Sequence, residues 1–304
     1  MPDRLLFIDT NIWLDFYRVG NETNVGLLKH VTSLADNLIT TYQVETEFKS
    51  NRQTVLLTGL KDLSLAAPGR IGIVSGAKAA TELKRLTDAA IVQVKELKKQ
   101  LEAVLTDPEA NDPIFRDCLV LFKKNDGLSL MRNNPIKKRI RRRALTRFLH
   151  HCPPRKKGDV SIGDAFNWEW IVRCAHERKA DVAIVTRDTD YGIVYAGKNY
   201  INDHLKQEFH ERIGDRTVTL FSLLGEALKT FGIAVTKKEA EEEQALVKEE
   251  MTTAQRGAEL YKLWSDVAYQ RSIVAGTSRH RDLISLGMDR AWELDIGGSG
   301  DRNE

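Results

Sequence analysis

The sequence predicts an α/β protein built around a parallel sheet, and three observations carry that prediction. Apolar runs of four or five residues, too brief for helices, recur along the chain. Each is followed by a longer helical pattern, the alternation that a parallel sheet with crossover helices requires. Two of the runs lead into carboxylates, where sheets of this class place their ligand crevice.

Leu5 to Ile8 is the first such run, stopped by Asp9-Thr10-Asn11, residue types that favour turns and helix N-caps. A helix over 24–35, a strand over 38–41 and a helix over 43–57 complete the next unit. From Glu82 to Leu105 the apolar positions Leu83, Leu86, Ala90, Val94, Leu97 and Leu101 recur every three or four residues, which predicts an amphipathic helix. Asp107-Pro108 and Asp112-Pro113 end it, a short helix follows near 114–124, and Asn133-Asn134-Pro135 breaks the chain again. Beyond Pro153-Pro154 the alternation resumes. Helix is expected over 162–177, strand over 182–186, helix over 201–213, strand over 217–221 and a closing helix to Phe231. The expected organisation is a catalytic-type domain over 1–235, its core in 1–50 and 158–235 and a helical insertion over 51–157. A helical C-terminal appendage over 236–304 would end in the frayed Gly297-Gly298-Ser299-Gly300 tail.

Composition narrows the class. With 304 residues, 42% hydrophobic and 29% charged, the chain can bury a core without disulfides, and neither collagen-like repetition nor wholesale disorder is tenable. The net charge of +3 conceals an asymmetry: residues 127–158 hold eleven Lys or Arg and no acid, so the remainder is net acidic. Cys118, Cys152 and Cys174 form no CxxC pair, which suits a reducing compartment. There is no apolar stretch long enough to span a bilayer and no leader-like start, so a cytoplasmic location without membrane contact is expected.

The chemistry is expected from acids. Asp9 follows the first strand, Asp188 and Asp190 follow the 182–186 strand, and Glu47 and Asp164 lie in the first turns of helices entering from the same side. Taken singly, each also has a lesser structural reading: Asp9 and Asp164 as helix caps, Asp188 and Asp190 as an Asx-turn, and Glu47 as a helical surface acid. Placed together at strand ends, they read as a cluster that a hard divalent cation would neutralise, with oxygen-only ligands favouring Mg²⁺ or Mn²⁺.

Those residues also carry a resemblance. The run LLFIDTNIWLD at 5–15, the pattern from Val44 through Glu47 to Phe48, the GDAFNWEW of 163–170 and the TRDTDY of 186–191 occur in one order. Together they resemble the four signature blocks of PIN-domain nucleases, in particular larger members with a helical insertion between the second and third acids. The resemblance implies a Rossmann-like three-layer fold and a site binding one or two Mg²⁺ or Mn²⁺ ions. It implies Asp9, Glu47, Asp164 and Asp188 as the catalytic acids, with Asp9, Asp164, Asp188 and Asp190 as metal ligands. Asn11 and Thr186 match small polar accessory positions, and Tyr191 stands where Phe is more usual. The implied reaction is hydrolysis of a phosphodiester by an activated water, leaving a 5′-phosphate and a 3′-hydroxyl.

Lys137, Lys138, Arg139, Arg141, Arg142, Arg143 and Arg147 surround an apolar stripe of Ile136, Ile140, Ala144 and Phe148, a basic amphipathic helix. Arg155, Lys156 and Lys157 extend the charge toward Asp164. Phosphate contact is the economical reading beside such a site, and the expected substrate is RNA. Trp168 and Trp170 are read chiefly as helix packing. The expected function is a metal-dependent endoribonuclease in a toxin-antitoxin, phage-defence or RNA-processing setting. The alternatives are a structure-specific DNA nuclease and a non-catalytic nucleic-acid-binding scaffold. A protein partner, or self-association, would use the C-terminal appendage.

Overall fold

The structure, a computed structural model, describes residues 3–62, 72, 76–155 and 161–249. Five strands form one parallel sheet: β1 (Arg4–Ile8), β2 (Leu38–Thr41), β3 (Ser129–Leu130), β4 (Asp181–Val185) and, after a separate hairpin, β7 (Val218–Phe221). Their order is β3-β2-β1-β4-β7. The hairpin strands are β5 (Gly192–Tyr195) and β6 (Lys198–Ile201). The helices are α1 (Thr10–Asp15), α2 (Asn21–Ser33), α3 (Tyr42–Asp62), α4 (Lys78–Thr106), α5 (Pro108–Asn111), α6 (Pro113–Phe122), α7 (Lys137–Leu149), α8 (Gly163–Arg178), α9 (Asp203–Ile213) and α10 (Leu224–Lys229). The sheet lies between helices, a three-layer α/β arrangement.

Central strands of such a sheet are covered on both faces, so they read as continuous apolar runs. Leu5, Leu6, Phe7 and Ile8 of β1 are all buried, as are Val182 to Val185 of β4. β1 and β4 run in register from Arg4 opposite Asp181 to Ile8 opposite Val185. The residues that follow these strands therefore emerge side by side.

Residues 51–157 hold α4 to α7 and are not helical throughout. Ser129 and Leu130 pair with Thr40 and Thr41, so this stretch supplies an edge strand of the main sheet. Phe122 of α6 meets the rings of Trp13 and Phe48 at 4.9 Å and 5.4 Å, inside the common core. A buried ion pair fastens the same region: Arg52 Nη2 lies 2.6 Å from Asp112, and Tyr17 donates its hydroxyl to Asp112 at 2.8 Å. The expected amphipathic helix exists as α4, yet Leu83, Leu86 and Leu97 on its apolar stripe are 46%, 52% and 45% exposed.

The chain divides into two compact units, Met1–Gln244 and Ala245–Glu304, so the first extends beyond the expected boundary at 235. A helix begins at 237, and its acids cap core elements. Glu243 accepts from the backbone N–H groups of Leu224 and Gly225 at the start of α10, and Glu242 accepts from Gly20 N–H at the start of α2. The expected helical appendage beyond 249 and its frayed tail lie outside the described residues. Among the described residues no helix is long and apolar enough to cross a membrane.

Candidate active site

The site grows from the ends of β1 and β4. Asp9 is the N-cap of α1: its Oδ1 accepts from Thr10 N–H at 2.7 Å. Its Oδ2 accepts from the Thr186 hydroxyl at 2.6 Å and from Asn11 Nδ2 at 3.1 Å. The cap and the acid of the site are thus one residue. Thr186, at the end of β4, also accepts from the backbone N–H of Asp188 at 3.0 Å, so one hydroxyl ties Asp9 to the turn that carries Asp188. That turn is anchored elsewhere by Arg187, whose guanidinium grips Asp15 at 2.6 Å and 2.8 Å.

The other two acids arrive on helices. Glu47, in the second turn of α3, accepts from the Thr10 hydroxyl at 2.8 Å and from Gln43 Nε2 at 2.7 Å. Asp164 lies in the first turn of α8, and the residue before it is glycine. A Cβ on Gly163 would sit 2.8 Å from Glu47 Oε1, so the missing side chain lets α8 start against α3. Asp164 and Glu47 are thereby brought to the same corner.

Tyr191 reports the convergence. It is wholly buried, and its hydroxyl donates to the carbonyl oxygen of Asp164 at 3.3 Å. Burial, and after it the charges of Asp164, Asp9, Asp188 and Glu47, raise its pKa well above the ordinary value. All four expected acids act on this one phenol, whereas Asp190, buried in the same loop, is not among them. Sequence reasoning treated Tyr191 as a substitution for Phe; nothing local in the sequence signals its bond to α8. Arg187 and Asp15 were missed for the same reason, since a bidentate pair between residues 172 apart has no local pattern.

The donor set fits a hard cation. Burial first, then the charge of Asp188, lift the Asp9 pKa from 3.8 to about 6. Among the described residues Asn11 Oδ1 is buried beside Asp9 with no hydrogen-bond partner. Among the same residues no three His, Cys, Asp or Glu side chains stand close enough to chelate an ion as they are. The acids share a corner without closing into a ligand shell. Thr186→Val is expected to weaken Mn²⁺ affinity about 10–100-fold, as loss of a group orienting a metal ligand does, while Thr186→Ser retains it. Titration calorimetry of the full chain measures both.

The basic residues divide. Lys138, Arg139, Arg141, Arg142 and Arg143 are exposed on α7. Lys137 lies over the Tyr42 ring and Arg155 over the Phe148 ring, at 5.5 Å and 4.3 Å from the centroids. Lys156 and Lys157 lie outside the described residues. Arg147 corrects the expectation of a phosphate contact, because it is buried, 3.1 Å from Glu169 and in contact with Glu208. The reason is helical phase: 140, 144 and 147 share the inward face, and Ile140 and Ala144 are buried with it. Arg212 closes the group onto Glu169 at 3.0 Å and Glu208 at 2.7 Å. A cavity of about 500 Å³ opens over this group, with Arg142, Arg143 and His150 in its wall, and none of the four acids lines it. Trp168 and Trp170 are buried and donate to Glu208 and to the Leu128 carbonyl, which is packing.

Compared with known proteins, residues 6–191 match the family model described as PIN domain. That span begins in β1 and ends at Tyr191, so it holds all four acids. No curated protein and no solved structure matches the chain.

Proposed function

The chain belongs to the PIN domain family, whose members are in general nucleases and typically depend on a divalent metal, and from that premise we propose a Mg²⁺- or Mn²⁺-dependent endoribonuclease. On this reading it hydrolyses RNA phosphodiesters to leave 5′-phosphate and 3′-hydroxyl ends. The observation that supports the proposal is geometric: the Thr186 hydroxyl ties Asp9 to the turn carrying Asp188, the Thr10 hydroxyl holds Glu47, and α8, which carries Asp164, starts against Glu47.

Asp9, Asp164 and Asp188 would hold the ion, with Asp190 as an outer ligand. Bound there, it supplies Lewis-acid activation of a water and neutralises charge on the leaving oxygen. The chain does the rest. Thr186 and Asn11 fix the orientation of the Asp9 carboxylate by two hydrogen bonds. Glu47, held by Thr10 and Gln43, would orient the attacking water. Tyr191 steadies the first turn of α8, and so the position of Asp164, by donating to its carbonyl oxygen. No histidine belongs to this set, so the acid-base pair that a 2′,3′-cyclic phosphate route needs is lacking among its members.

The exposed arginines of α7 are proposed to receive the substrate backbone. Replacing Arg141, Arg142 and Arg143 together by Gln is expected to weaken RNA of every sequence alike. The slope of log K against log salt should flatten by about 0.7–0.9 for each phosphate that is no longer neutralised. Fluorescence anisotropy at a series of salt concentrations reads both effects.

The decisive assay compares labelled RNA and DNA single strands of one sequence with Mn²⁺, Mg²⁺ or EDTA, for the wild type and Asp164→Ala. Metal-dependent cutting of RNA, absent in the variant and leaving 5′-phosphates, is the expected result. Cutting of DNA alone would replace the ribonuclease reading with a deoxyribonuclease one. No cutting by the folded, metal-loaded wild type would overturn the nuclease reading.

A further inference from the structure

The hairpin of β5 and β6 stands outside the main sheet and leaves large apolar side chains in water. Ile193, Val194, Tyr195 and Tyr200 are 62%, 62%, 72% and 48% exposed. Within ten residues this is more apolar exposure than isolated surface residues account for, and such patches mark interaction sites.

Register arranges them. Ile193 lies opposite Tyr200, and Tyr195 opposite Lys198. Opposed residues share a face of an antiparallel pair, as do alternate residues along each strand. Ile193, Tyr195, Lys198 and Tyr200 therefore form one continuous face: two phenol rings, a branched aliphatic side chain and a cation.

The platform has a tight turn at its tip and is joined at its base to the acid site. Ala196 and Gly197 at its tip both have left-handed φ, +49° and +73°, the backbone of a tight two-residue hairpin turn. At its base, Gly192 packs so closely that a Cβ would lie 2.1 Å from the Tyr200 carbonyl oxygen and 2.7 Å from Leu220. Asn202 N–H donates to the carbonyl of Tyr191 at 2.9 Å, and the hydroxyl of that tyrosine is the one bonded to Asp164. A single residue thus joins the hairpin to the third acid.

Two exposed rings beside a lysine are the equipment with which proteins hold unpaired nucleotides: bases stack on the rings and the cation meets the phosphates. A paired duplex keeps its base faces covered and has nothing to offer the rings. We propose that the face formed by Ile193, Tyr195, Lys198 and Tyr200 is a stacking platform for the unpaired bases of the substrate strand, on the hairpin that Tyr191 joins to Asp164. This inference rests on the nuclease reading for its substrate, and its test is separable from that reading.

Binding is measured with EDTA present, so that no cleavage intervenes, by anisotropy of a labelled single-stranded RNA and of a blunt duplex of the same length. Tyr195→Ala with Tyr200→Ala is expected to weaken the single strand at least about tenfold and to leave duplex affinity unchanged. Tyr195→Phe with Tyr200→Phe keeps both rings and should restore single-strand affinity. It also serves if the alanine variant melts early. Unchanged affinity, or equal loss on duplex and single strand, would overturn the proposal. So would a wild-type dimer in light scattering that the alanine variant dissolves without losing RNA, since the face would then join two copies of the chain. If the wild type cuts RNA but the alanine variant binds normally, the platform falls and the nuclease stands. Ring-dependent binding in a protein that cuts nothing upholds the platform and removes the nuclease.

Discussion

Asp9→Asn is expected to lower RNA cleavage by more than about a hundredfold and, in the metal-free protein at pH 7, to raise the melting temperature. The two effects have one origin. Asp9 is buried among acids and titrates at about 6 in the fold, against 3.8 as the ordinary value. The folded state therefore binds a proton that the unfolded chain has already released between those values, and stability falls as pH rises from about 4 to about 6. Above that window the ionised carboxylate destabilises the fold by about 3 kcal/mol. Asparagine keeps the size of the side chain and a cap acceptor for Thr10 N–H but carries no charge, so it relieves most of that penalty. At roughly 2–4 °C per kcal/mol for a chain of this size, the gain is visible in a thermal scan. The expected signature is a melting temperature that no longer declines between pH 4 and 6, in a protein that has lost its cation affinity. A variant that melts lower at pH 7 and keeps the pH slope would show that Asp9 is not the stressed acid of the site. Added Mn²⁺ should raise the melting temperature of the wild type and leave the variant unmoved.

Arg147→Ala is expected to destabilise the protein by roughly 3–5 kcal/mol and to leave the salt dependence of RNA binding intact. The guanidinium lies 3.1 Å from Glu169, which is 4% exposed and would keep its charge with the half-buried Arg212 at 3.0 Å and the exposed Arg143 at 4.0 Å to meet it. Burial pushes the Glu208 pKa up, and Arg147 and Arg212 together pull it below the ordinary value. Taking Arg147 away leaves that carboxylate under-compensated as well. Denaturant unfolding measures the loss, and the salt series of the α7 variants supplies the contrast. Arg141→Gln should alter binding with little change in stability, while Arg147→Ala should do the reverse.

The difference between those two arginines shows how far the sequence was legible. Strands β1 and β4 were visible because a strand covered on both faces is written as an apolar run, and β2 and β7 because they are short and rich in β-branched residues. Asp9 and Asp188 could be read from strand ends and Asp164 from a helix start, while Glu47, in the second turn of α3, has no such local signal. Three further features were not visible. β3 is two residues long and has no periodicity to read. The β5–β6 hairpin turns on Ala196-Gly197, a weaker hairpin signal than Asn-Gly, and its alternation faces water on both sides near the tip. Arg147 sits in a run of basic residues that masks its inward phase. In each case the deciding information is a partner distant in sequence: Thr40 for Ser129, Leu220 for Gly192, Glu169 for Arg147.

The pairing of β1 with β4 also sets a timetable. Arg4 must wait for Asp181, and at roughly 5–20 residues per second the ribosome needs on the order of 10–35 s to deliver it. Through that interval β1 has only β2 beside it, and an apolar strand with one bare edge is a template for wrong pairings. Nascent chains stalled before residue 181 should therefore lean on chaperones, and fragments ending there should aggregate. The same delay keeps Asp9 and Glu47 apart from Asp164 and Asp188 until well over half the chain has been made. On the proposed nuclease reading, the site cannot assemble on the ribosome before residue 188 has been made.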